Sequence, residues 1–291
     1  MSRFASETAT IPARDHSATG ASKAPISAHS IVTGYRTHTV LDAVDLSFEK
    51  GEFTCLVGPN GSGKSTLLKT IARLLDPLAG FVELGGEKLS RLPSREVAKR
   101  ISILPQSPSV PELLTVRELV EQGRYPHVGA VGMLRRQDVE AVDRALSEAG
   151  LHLFADRDVN TLSGGERQRA WLALSLAQDC PTMLLDEPTT YLDVGYQLQL
   201  LELVSKLNKE NGLTVVMVVH DLNHATAFSD RIVVVNDRKV VADGSPFEAF
   251  SKDILAEVFG IEAEIIEHPL TGKPYIIPVA STERATERLE R

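Results

Sequence analysis

The sequence predicts an α/β fold in which a buried parallel sheet is flanked by helices. Apolar runs of strand length, at 53–57, 214–219 and 232–235, alternate with segments of helical periodicity. A glycine-rich loop joins the first of these runs to a helical segment. Alternation of this kind is typical of parallel strands that are connected by crossover helices. At 291 residues, the chain can bury the core of one large domain with an inserted subdomain.

Composition and charge narrow the classes of function. Hydrophobic residues make up 43% of the chain and charged residues 24%, which is ordinary for a globular protein. The net charge of -8 argues against general nucleic-acid binding, which favours basic domains. No apolar run approaches the ~20 residues that are needed to cross a bilayer. Any transport function would therefore need a separate membrane partner.

The N-terminal residues predict strands broken by turns. Residues 1–26 are rich in Ser, Ala, Thr and Pro without the apolar run of a secretory signal, and we expect a disordered leader there. Short β-prone runs follow at 31–32 and 43–48, and further ones at 81–84 and 101–104.

The loop at 58–65 fits G-x-x-x-x-G-K-[ST], the phosphate-binding P-loop. It follows a predicted strand and precedes a predicted helix, Ser65 to Leu75, with apolar residues at helical spacing up to Leu74. Glycines let backbone N–H groups turn towards an anion, and the helix N-terminus adds partial positive charge. The alternative is a glycine-rich turn before a core helix. The predicted phosphate-binding residues are Gly58, Pro59, Asn60, Gly61, Ser62, Gly63, Lys64, Ser65 and Thr66.

The middle and the end of the chain predict helices and a strand pair. A capping box opens a helix at Thr115, and residues 137–149 place Val139, Val142 and Leu146 on one helix face. We therefore expect an inserted helical subdomain from about 107 to 180. Residues 259–278 alternate like two short strands around a turn at 270–273, and we expect residues 266–291 to form a small extension with a charged tail.

Polar residues follow two of the apolar runs. Asp186 ends one run, which places a carboxylate at the carboxyl edge of the predicted sheet, where ligands bind. An aspartate there can hold Mg²⁺, and the adjacent Glu187 could polarise a water as a general base. His220 follows the run at 214–219 and stands at the same edge. The alternatives are a structural Asp-Glu turn and a structural histidine.

A second anion site is predicted at 163–166. Ser163 and Glu166 fit a capping box, so a helix begins here and runs to about Gln178. Its N-terminus, loosened by two glycines, can bind an anion. Since the P-loop already accounts for one triphosphate, this site needs another ligand or a partner's ligand. The alternative is a well-capped core helix that binds nothing.

With these motifs, the chain resembles the ATP-hydrolysing subunits of ABC transporters over about residues 27–244. The segment Leu162 to Glu166 matches the family signature L-S-G-G-E/Q, which contacts ATP held by the opposing subunit. The resemblance implies a P-loop NTPase core over 27–265, with an N-terminal antiparallel β subdomain and the inserted helical subdomain. It also implies ATP and Mg²⁺ as ligands and a two-fold symmetric homodimer in the ATP-bound state.

The resemblance also implies roles for single residues. Gln106 is the glutamine that touches Mg²⁺ or the attacking water, Asp193 is the aspartate of the D-loop, and His220 contacts the γ-phosphate. Tyr35 stacks on adenine with Val40 beside it, or is an ordinary edge-strand tyrosine. The implied catalytic residues are Lys64, Gln106, Glu187 and His220; the metal ligands are Ser65, Gln106 and Asp186; the residues facing the partner's ATP are Ser163, Gly164, Gly165 and Glu166.

The substrate class follows from further segments. Residues 123–127 and 220–225, Tyr191 and the tail at 259–261 resemble the ATP-binding subunits of iron(III)-siderophore importers. The resemblance implies a peripheral ATPase on the cytoplasmic face of the inner membrane, working with integral membrane permease subunits and indirectly with a substrate-binding protein. The alternatives are an ATPase for cobalamin or haem import, a soluble ABC ATPase without a transport function, and an exporter's ATPase.

Overall fold

The computed structural model describes residues 25–35, 38–106, 114–129 and 132–282. The strands are β1 Ile26–Tyr35, β2 His38–Phe48, β3 Phe53–Val57, β4 Ala79–Leu84, β5 Glu87–Lys88, β6 Ile101–Leu104, β7 Thr182–Asp186, β8 Thr214–Val218, β9 Arg231–Asn236, β10 Lys239–Gly244, β11 Ile261–Glu267 and β12 Pro274–Ser281. The α-helices are α1 Lys64–Ile71, α2 Ser94–Val97, α3 Val116–Glu121, α4 Tyr125–Val128, α5 Arg136–Glu148, α6 Gly164–Ala177, α7 Val194–Asn211, α8 Leu222–Phe228, α9 Pro246–Ala249 and α10 Lys252–Phe259.

The largest sheet confirms the predicted α/β fold. Its strand order is β10-β9-β3-β8-β7-β6, and all strands are parallel except β10, which runs antiparallel to β9. Every residue of β3, β7 and β8 is buried. Continuous apolar runs are expected of strands that are covered on both faces. The sheet therefore brings the carboxyl ends of β3, β7 and β8 to one edge.

A second, antiparallel sheet in the order β2-β1-β4-β5 confirms the predicted N-terminal β subdomain. The expected boundary of the leader was wrong by at least one residue, because Ile26 is buried in β1 and pairs with Phe48. An apolar residue in register with the sheet gains from burial, so the strand begins there. Residues 1–24 of the expected leader lie outside the described residues.

The helix after the P-loop ends earlier than predicted. It stops at Ile71, and Leu74 is 62% exposed and does not lie on its buried face. Arg73 adopts a left-handed conformation with φ of 60°. The N–H groups of Arg73 and Leu74 donate to the carbonyls of Thr70 and Lys69 at 3.1 and 2.8 Å. These two bonds form a Schellman motif, which closes the helix although the sequence has no glycine there.

Helices α3, α5 and α6 pack around a separate apolar cluster that includes Val116, Leu119, Val142 and Leu146. The predicted capping box at Thr115 is present, and its hydroxyl accepts from the N–H of Glu118. The prediction for Val139 was wrong, because its side chain is 40% exposed. The buried position on that turn of α5 is Asp138, which has an arginine partner on a distant segment. The extent of the helical subdomain, about 107–180, stays a prediction, and residues 107–113 lie outside the described residues.

The C-terminal strand pair is confirmed. β11 and β12 are antiparallel, with Ile261 opposite Ser281 at one end and Glu267 opposite Pro274 at the other. The expected start of the extension at residue 266 was wrong, since it falls inside β11. Residues 261–267 pair with β12 on both sides of a register shift between Glu262 and Ala263, so residue 266 is paired like the residues before it. The charged tail beyond residue 282 lies outside the described residues. In the part of the chain that the structure describes, no helix has the length and apolar character needed to cross a membrane.

A buried arginine connects the two large sheets. Arg231 in β9 donates from Nε and Nη2 to the carboxylate of Asp243 in β10 at 2.5 and 2.6 Å. Its Nη1 donates to the carbonyl oxygen of Ser47 in β2 at 2.7 Å. The side chains of Arg231 and Asp243 are only 3% and 5% exposed. The guanidinium therefore depends on these oxygens in place of water.

We predict that Asp243→Asn lowers the free energy of unfolding by about 3 kcal/mol, because it leaves a buried guanidinium short of its main counter-charge. Urea denaturation measures this change. The control is Glu264→Gln, which breaks the exposed pair of Lys252 with Glu264 and should cost less than about 1 kcal/mol. Equal losses in the two variants would contradict a structural role for the buried pair.

Candidate active site

The P-loop lies where the sequence predicts it, between β3 and α1. Gly58 leaves β3 with φ of 151°, and a Cβ atom there would lie 2.1 Å from the carbonyl oxygen of Val235. Only glycine fits this close approach. Gly61 and Gly63 also have positive φ, of 79° and 106°. The loop therefore has the backbone freedom that a phosphate cradle needs.

Lys64 lies buried at the start of α1, with 4% of the residue exposed. Its Nζ donates to the carbonyl oxygens of Gly58 and Pro59 at 2.9 and 2.8 Å. Burial lowers the pKa of Lys64, and the carboxylates of Glu187 and Asp186 oppose that shift. The carboxylates at the end of β7 thus favour the charged form of the lysine that the loop encloses.

Ser65 and Asp186 meet across the edge of the sheet. The hydroxyl of Ser65 donates to Oδ1 of Asp186 at 2.7 Å, from α1 to the last residue of β7. Burial raises the pKa of Asp186; the hydrogen bond from Ser65 opposes this, and the nearby carboxylate of Glu187 adds to it. Two oxygen-bearing side chains thus stand together beside the P-loop, as the sequence predicts.

Three side chains converge on the carboxylate of Glu187. Oε2 accepts from the amide of Gln106 at 2.5 Å and from the hydroxyl of Thr190 at 3.3 Å. Oε1 lies 2.7 Å from Nε2 of His220. Glu187 itself follows β7 with φ of 52°, and its N–H donates to Val218 in β8. The structure therefore brings together residues that are far apart in sequence and at the ends of β6, β7 and β8.

Thr190 was missed by the sequence analysis. Its position three residues after Glu187, in a turn closed by a 3.2 Å bond from its N–H to the Glu187 carbonyl, explains how it reaches the carboxylate. A turn of that length after an acidic residue is the only sequence signal for it, and it is a weak one.

The predicted capping box at the start of α6 is confirmed. The hydroxyl of Ser163 accepts from the N–H of Glu166 at 3.3 Å, and the Glu166 carboxylate accepts from the N–H of Ser163 at 2.9 Å. Glu166 therefore has a lowered pKa, since these backbone and hydroxyl groups of Ser163 donate to its charged form. Among the described residues, no hydrogen bond or ion pair joins 163–166 to the P-loop of the same chain.

One aromatic ring connects this helix start to the segment after Glu187. Asp193 caps α7, and its carboxylate accepts from the N–H of Tyr196 at 3.0 Å. The ring of Tyr196 covers Gly165, where an added Cβ would lie 2.6 Å from the ring. At Gly164, in contrast, an added Cβ would meet nothing within 4 Å. The two glycines of the motif thus have different surroundings.

A groove of about 370 Å³ runs beside the P-loop. Val40 and the loop residues 59–62 line it, whereas Tyr35, half exposed at the end of β1, is not among its lining residues. Stacking of Tyr35 on adenine stays a prediction. The sequence analysis missed the turn of Asp237 and Arg238 between β9 and β10, which forms the opposite wall. Its polar residues between two β-prone runs signalled a turn, but not which loop it would face.

The sequence of this chain is similar to those of known proteins. The family model described as ABC transporter matches residues 41–190. The chain is 46% identical to "Probable siderophore transport system ATP-binding protein YusV" of Bacillus subtilis (strain 168), over 87% of the chain and 92% of that protein. It is 43% identical to the ferric enterobactin transport ATP-binding protein FepC of Escherichia coli (strain K12), over 91% and 98%. The hemin import ATP-binding protein HmuV of Nocardia farcinica (strain IFM 10152) is 43% identical over 82% of each chain.

Two solved structures have a fold similar to that of this chain. A transporter described as of the metal-chelate type, in an inward-facing conformation, aligns with a TM-score of 0.76 at 25% identity, over 88% of this chain and 98% of that one. The dimeric structure of MJ0796, a bacterial ABC transporter cassette, aligns with a TM-score of 0.67 at 33% identity, over 76% and 98%.

We predict that Gly165→Ala lowers the free energy of unfolding by about 1–3 kcal/mol, because its methyl group would overlap the ring of Tyr196. Gly164→Ala, one residue away, should change it by less than about 0.5 kcal/mol. Urea denaturation of both variants, of Tyr196→Ala, and of Gly165→Ala combined with Tyr196→Ala measures the effect. The double variant should lose less than the sum of the single losses; strict additivity would show that the ring and Gly165 do not interact.

Proposed function

Because the chain belongs to the ABC transporter family, we propose that it is the ATP-binding and ATP-hydrolysing subunit that energises import of iron(III)-siderophore complexes through a separate membrane permease. The observation that carries the proposal is the convergence of Gln106 and His220 on Glu187, at 2.5 and 2.7 Å, beside the P-loop. The names of the B. subtilis and E. coli relatives support the siderophore class. We place the chain at the cytoplasmic face of the inner membrane as a peripheral subunit.

Each residue at the sheet edge has its own role in phosphoryl transfer. Lys64 binds the β- and γ-phosphates and balances their charge, together with the N–H groups of the P-loop. Glu187 orients the attacking water and accepts its proton. His220 contacts the γ-phosphate, and its contact with Glu187 keeps both side chains at the reacting end of the nucleotide. Positioning and charge stabilisation supply most of the rate.

Mg²⁺ fits the side chains beside the P-loop. The hydroxyl of Ser65 directs its proton at Asp186, at 2.7 Å, so that the lone pairs of its oxygen stay available to a cation. Hydroxyl, carboxylate and amide oxygens are ligands that Mg²⁺ prefers, and we propose that Ser65, Asp186 and Gln106 hold the ion. When bound, Mg²⁺ neutralises charge on the phosphates.

We propose further that two copies of the chain share their sites. The capped start of α6 is an anion site without a P-loop residue of its own chain bonded to it. Residues 163–166 therefore face the ATP of a second copy, and Asp193 lies at the same interface. The similar cassette that was solved as a dimer supports this arrangement. The membrane permease, and indirectly a substrate-binding protein, complete the assembly.

The helical subdomain, about 107–180, is proposed to turn on the core as a rigid body. Its own apolar cluster holds α3, α5 and α6 together, and Gln106 stands where the chain leaves β6 for the subdomain. Engagement of Gln106 at the nucleotide can therefore change the subdomain's orientation and act on the permease.

We predict that Glu187→Gln binds ATP and forms the dimer but hydrolyses ATP at least about 100-fold more slowly, because the general base is lost. Cells lacking the chain should regain uptake of labelled ferric siderophore with the wild type but not with Glu187→Gln. The matched control is Glu210→Gln, at an exposed carboxylate on α7 that pairs with Lys206; it should behave as the wild type.

Two results would contradict this proposal. Normal ATP hydrolysis by Glu187→Gln would exclude its role as the general base. If siderophore uptake does not depend on the chain while the purified protein hydrolyses ATP, the ATPase assignment stands and the substrate class is wrong. Haem and cobalamin uptake are then tested in the same cells.

A further inference from the structure

The segment 123–127, Gly-Arg-Tyr-Pro-His, has no part in the nucleotide chemistry above, and its described tertiary hydrogen bonds go to α2, α5 and the end of α6. We call it the joint segment. It runs from the end of α3 into α4 and packs against the C-terminal end of α6. The opposite end of α6 carries Ser163 and Gly165, which are proposed to face a second chain's ATP. The joint segment therefore holds the base of α6, and the tip of α6 is the part that is proposed to complete the ATP site of the second chain.

Gly123 permits the close approach of the joint segment to α6. A Cβ atom at this position would lie 2.4 Å from the carbonyl oxygen of Leu174 and 3.1 Å from Cβ of Ala177. Any larger residue would push the segment away from the helix. The contact is therefore between two backbones, which leaves little room for movement.

Arg124 satisfies the end of α6 and ties it to α5. Its Nη1 donates to the carbonyl of Ala177, the last residue of α6, at 2.7 Å. Its Nε and Nη2 both donate to Oδ1 of Asp138 at 3.0 Å. The other oxygen, Oδ2, accepts from the N–H of Arg135 at the start of α5. Terminal helix carbonyls lack partners within the helix and attract cations, so this buried guanidinium joins two helix ends.

His127 and Gln178 connect the C-terminal end of α6 to the core. Nε2 of His127 lies 2.8 Å from the carbonyl oxygen of Gln178. The side-chain amide of Gln178 donates to the carbonyls of Ala98 and Ile101, at 2.6 and 3.0 Å, where β6 begins. Gln178 therefore connects the helical subdomain to the core: its backbone carbonyl bonds to the joint segment, and its side chain bonds to the sheet.

A second connection to the core comes from α2. Arg95 donates from Nε to the carbonyl of Pro126 at 2.7 Å and from Nη2 to that of His127 at 2.6 Å. The backbone of the joint segment is thus held from two sides, by α6 and by α2. A segment fixed in this way can act as the pivot of the helical subdomain.

The length of α6 makes its base important for its tip. A helix of 14 residues is about 21 Å long, so a tilt of about 10° at the base moves the tip by roughly 4 Å. Hydrogen bonds to a phosphate tolerate far less than this displacement. Small changes at the joint segment therefore suffice to take Ser163 and Gly165 out of reach.

We propose that Arg124 is a positioning residue for ATP hydrolysis: by holding the base of α6 it aims residues 163–165 at the ATP bound by the other chain. The proposal rests on the shared sites of the proposed function. It places the effect of Arg124 in trans, on the partner's ATP, and leaves ATP binding by its own P-loop unchanged. A residue that only stabilised the fold would have no such directionality.

The test uses Arg124→Lys, which keeps the charge but cannot reach Ala177 and Asp138 at once, because an ammonium lacks the guanidinium's fork. The control is Arg117→Lys in the same subdomain, where the pair of Arg117 with Asp143 is exposed. Mixed dimers, purified on two different tags, combine these substitutions with Glu187→Gln so that a single site can hydrolyse ATP. Phosphate release in a single turnover is measured against a reference dimer of wild type and Glu187→Gln.

Two arrangements of the same substitutions separate an effect of Arg124 on the partner's ATP from an effect on the ATP of its own chain. When Arg124→Lys and Glu187→Gln lie on the same chain, the working site of the wild-type partner faces the altered α6, and we expect phosphate release to slow at least about 10-fold. When they lie on opposite chains, the working site faces an unaltered α6, and the rate should stay within about two-fold of the reference. Arg117→Lys should match the reference in both arrangements.

An equal loss in both arrangements, or no loss in either, would overturn the positioning role. If Arg124→Lys does not fold, His127→Phe, which removes the bond to Gln178 alone, replaces it and should show the same directionality with a smaller loss of about three-fold. Failure of the wild type to hydrolyse ATP, or of the reference dimer to form with ATP, would instead show that the proposed function is wrong, and the role of Arg124 would fall with it.

Discussion

The carboxylate of Glu187 occupies the position on which the rest of the site depends. It is held by Gln106 and His220, each from the end of a different parallel strand, and lies beside the P-loop with Asp186. A parallel sheet places the ends of successive strands at one edge, so residues that are far apart in sequence meet there. The buried strands fix these side chains within hydrogen-bonding distance, and the chemistry of phosphoryl transfer needs little more than such positioning.

The helical part of the chain is the second element of the proposed mechanism. It has an apolar cluster of its own, while Leu172 of α6 packs in the core of the parallel sheet. Among the described residues, Gln106 at the sheet edge and the joint segment at the base of α6 also connect it to the core. We propose that Gln106 responds to the nucleotide and that the joint segment sets the direction of α6. We propose that this part of the chain turns on the core as a rigid body without unfolding, which would couple hydrolysis to transport.

Local patterns predicted much of this arrangement, because the interactions behind them are local. The capping boxes at Thr115 and Ser163 depend on residues three positions apart, and the P-loop on eight consecutive residues. What the sequence did not predict depends on distant partners. Asp138 replaces Val139 on the buried face of α5 since Arg124 neutralises it. The end of the helix after the P-loop is an exception, because a left-handed Arg73 closes it through local hydrogen bonds although no glycine is present there. The groove wall opposite the P-loop comes from a turn some 180 residues later.

We propose that ATP hydrolysis needs two copies of this chain. The most direct test is the rate of hydrolysis per chain as a function of chain concentration, at saturating ATP and Mg²⁺. If the sites are shared, the rate per chain rises with concentration and then levels off, as dimers become complete. A rate per chain that stays constant at concentrations where light scattering shows single chains would contradict the claim, since each chain would then hydrolyse ATP alone.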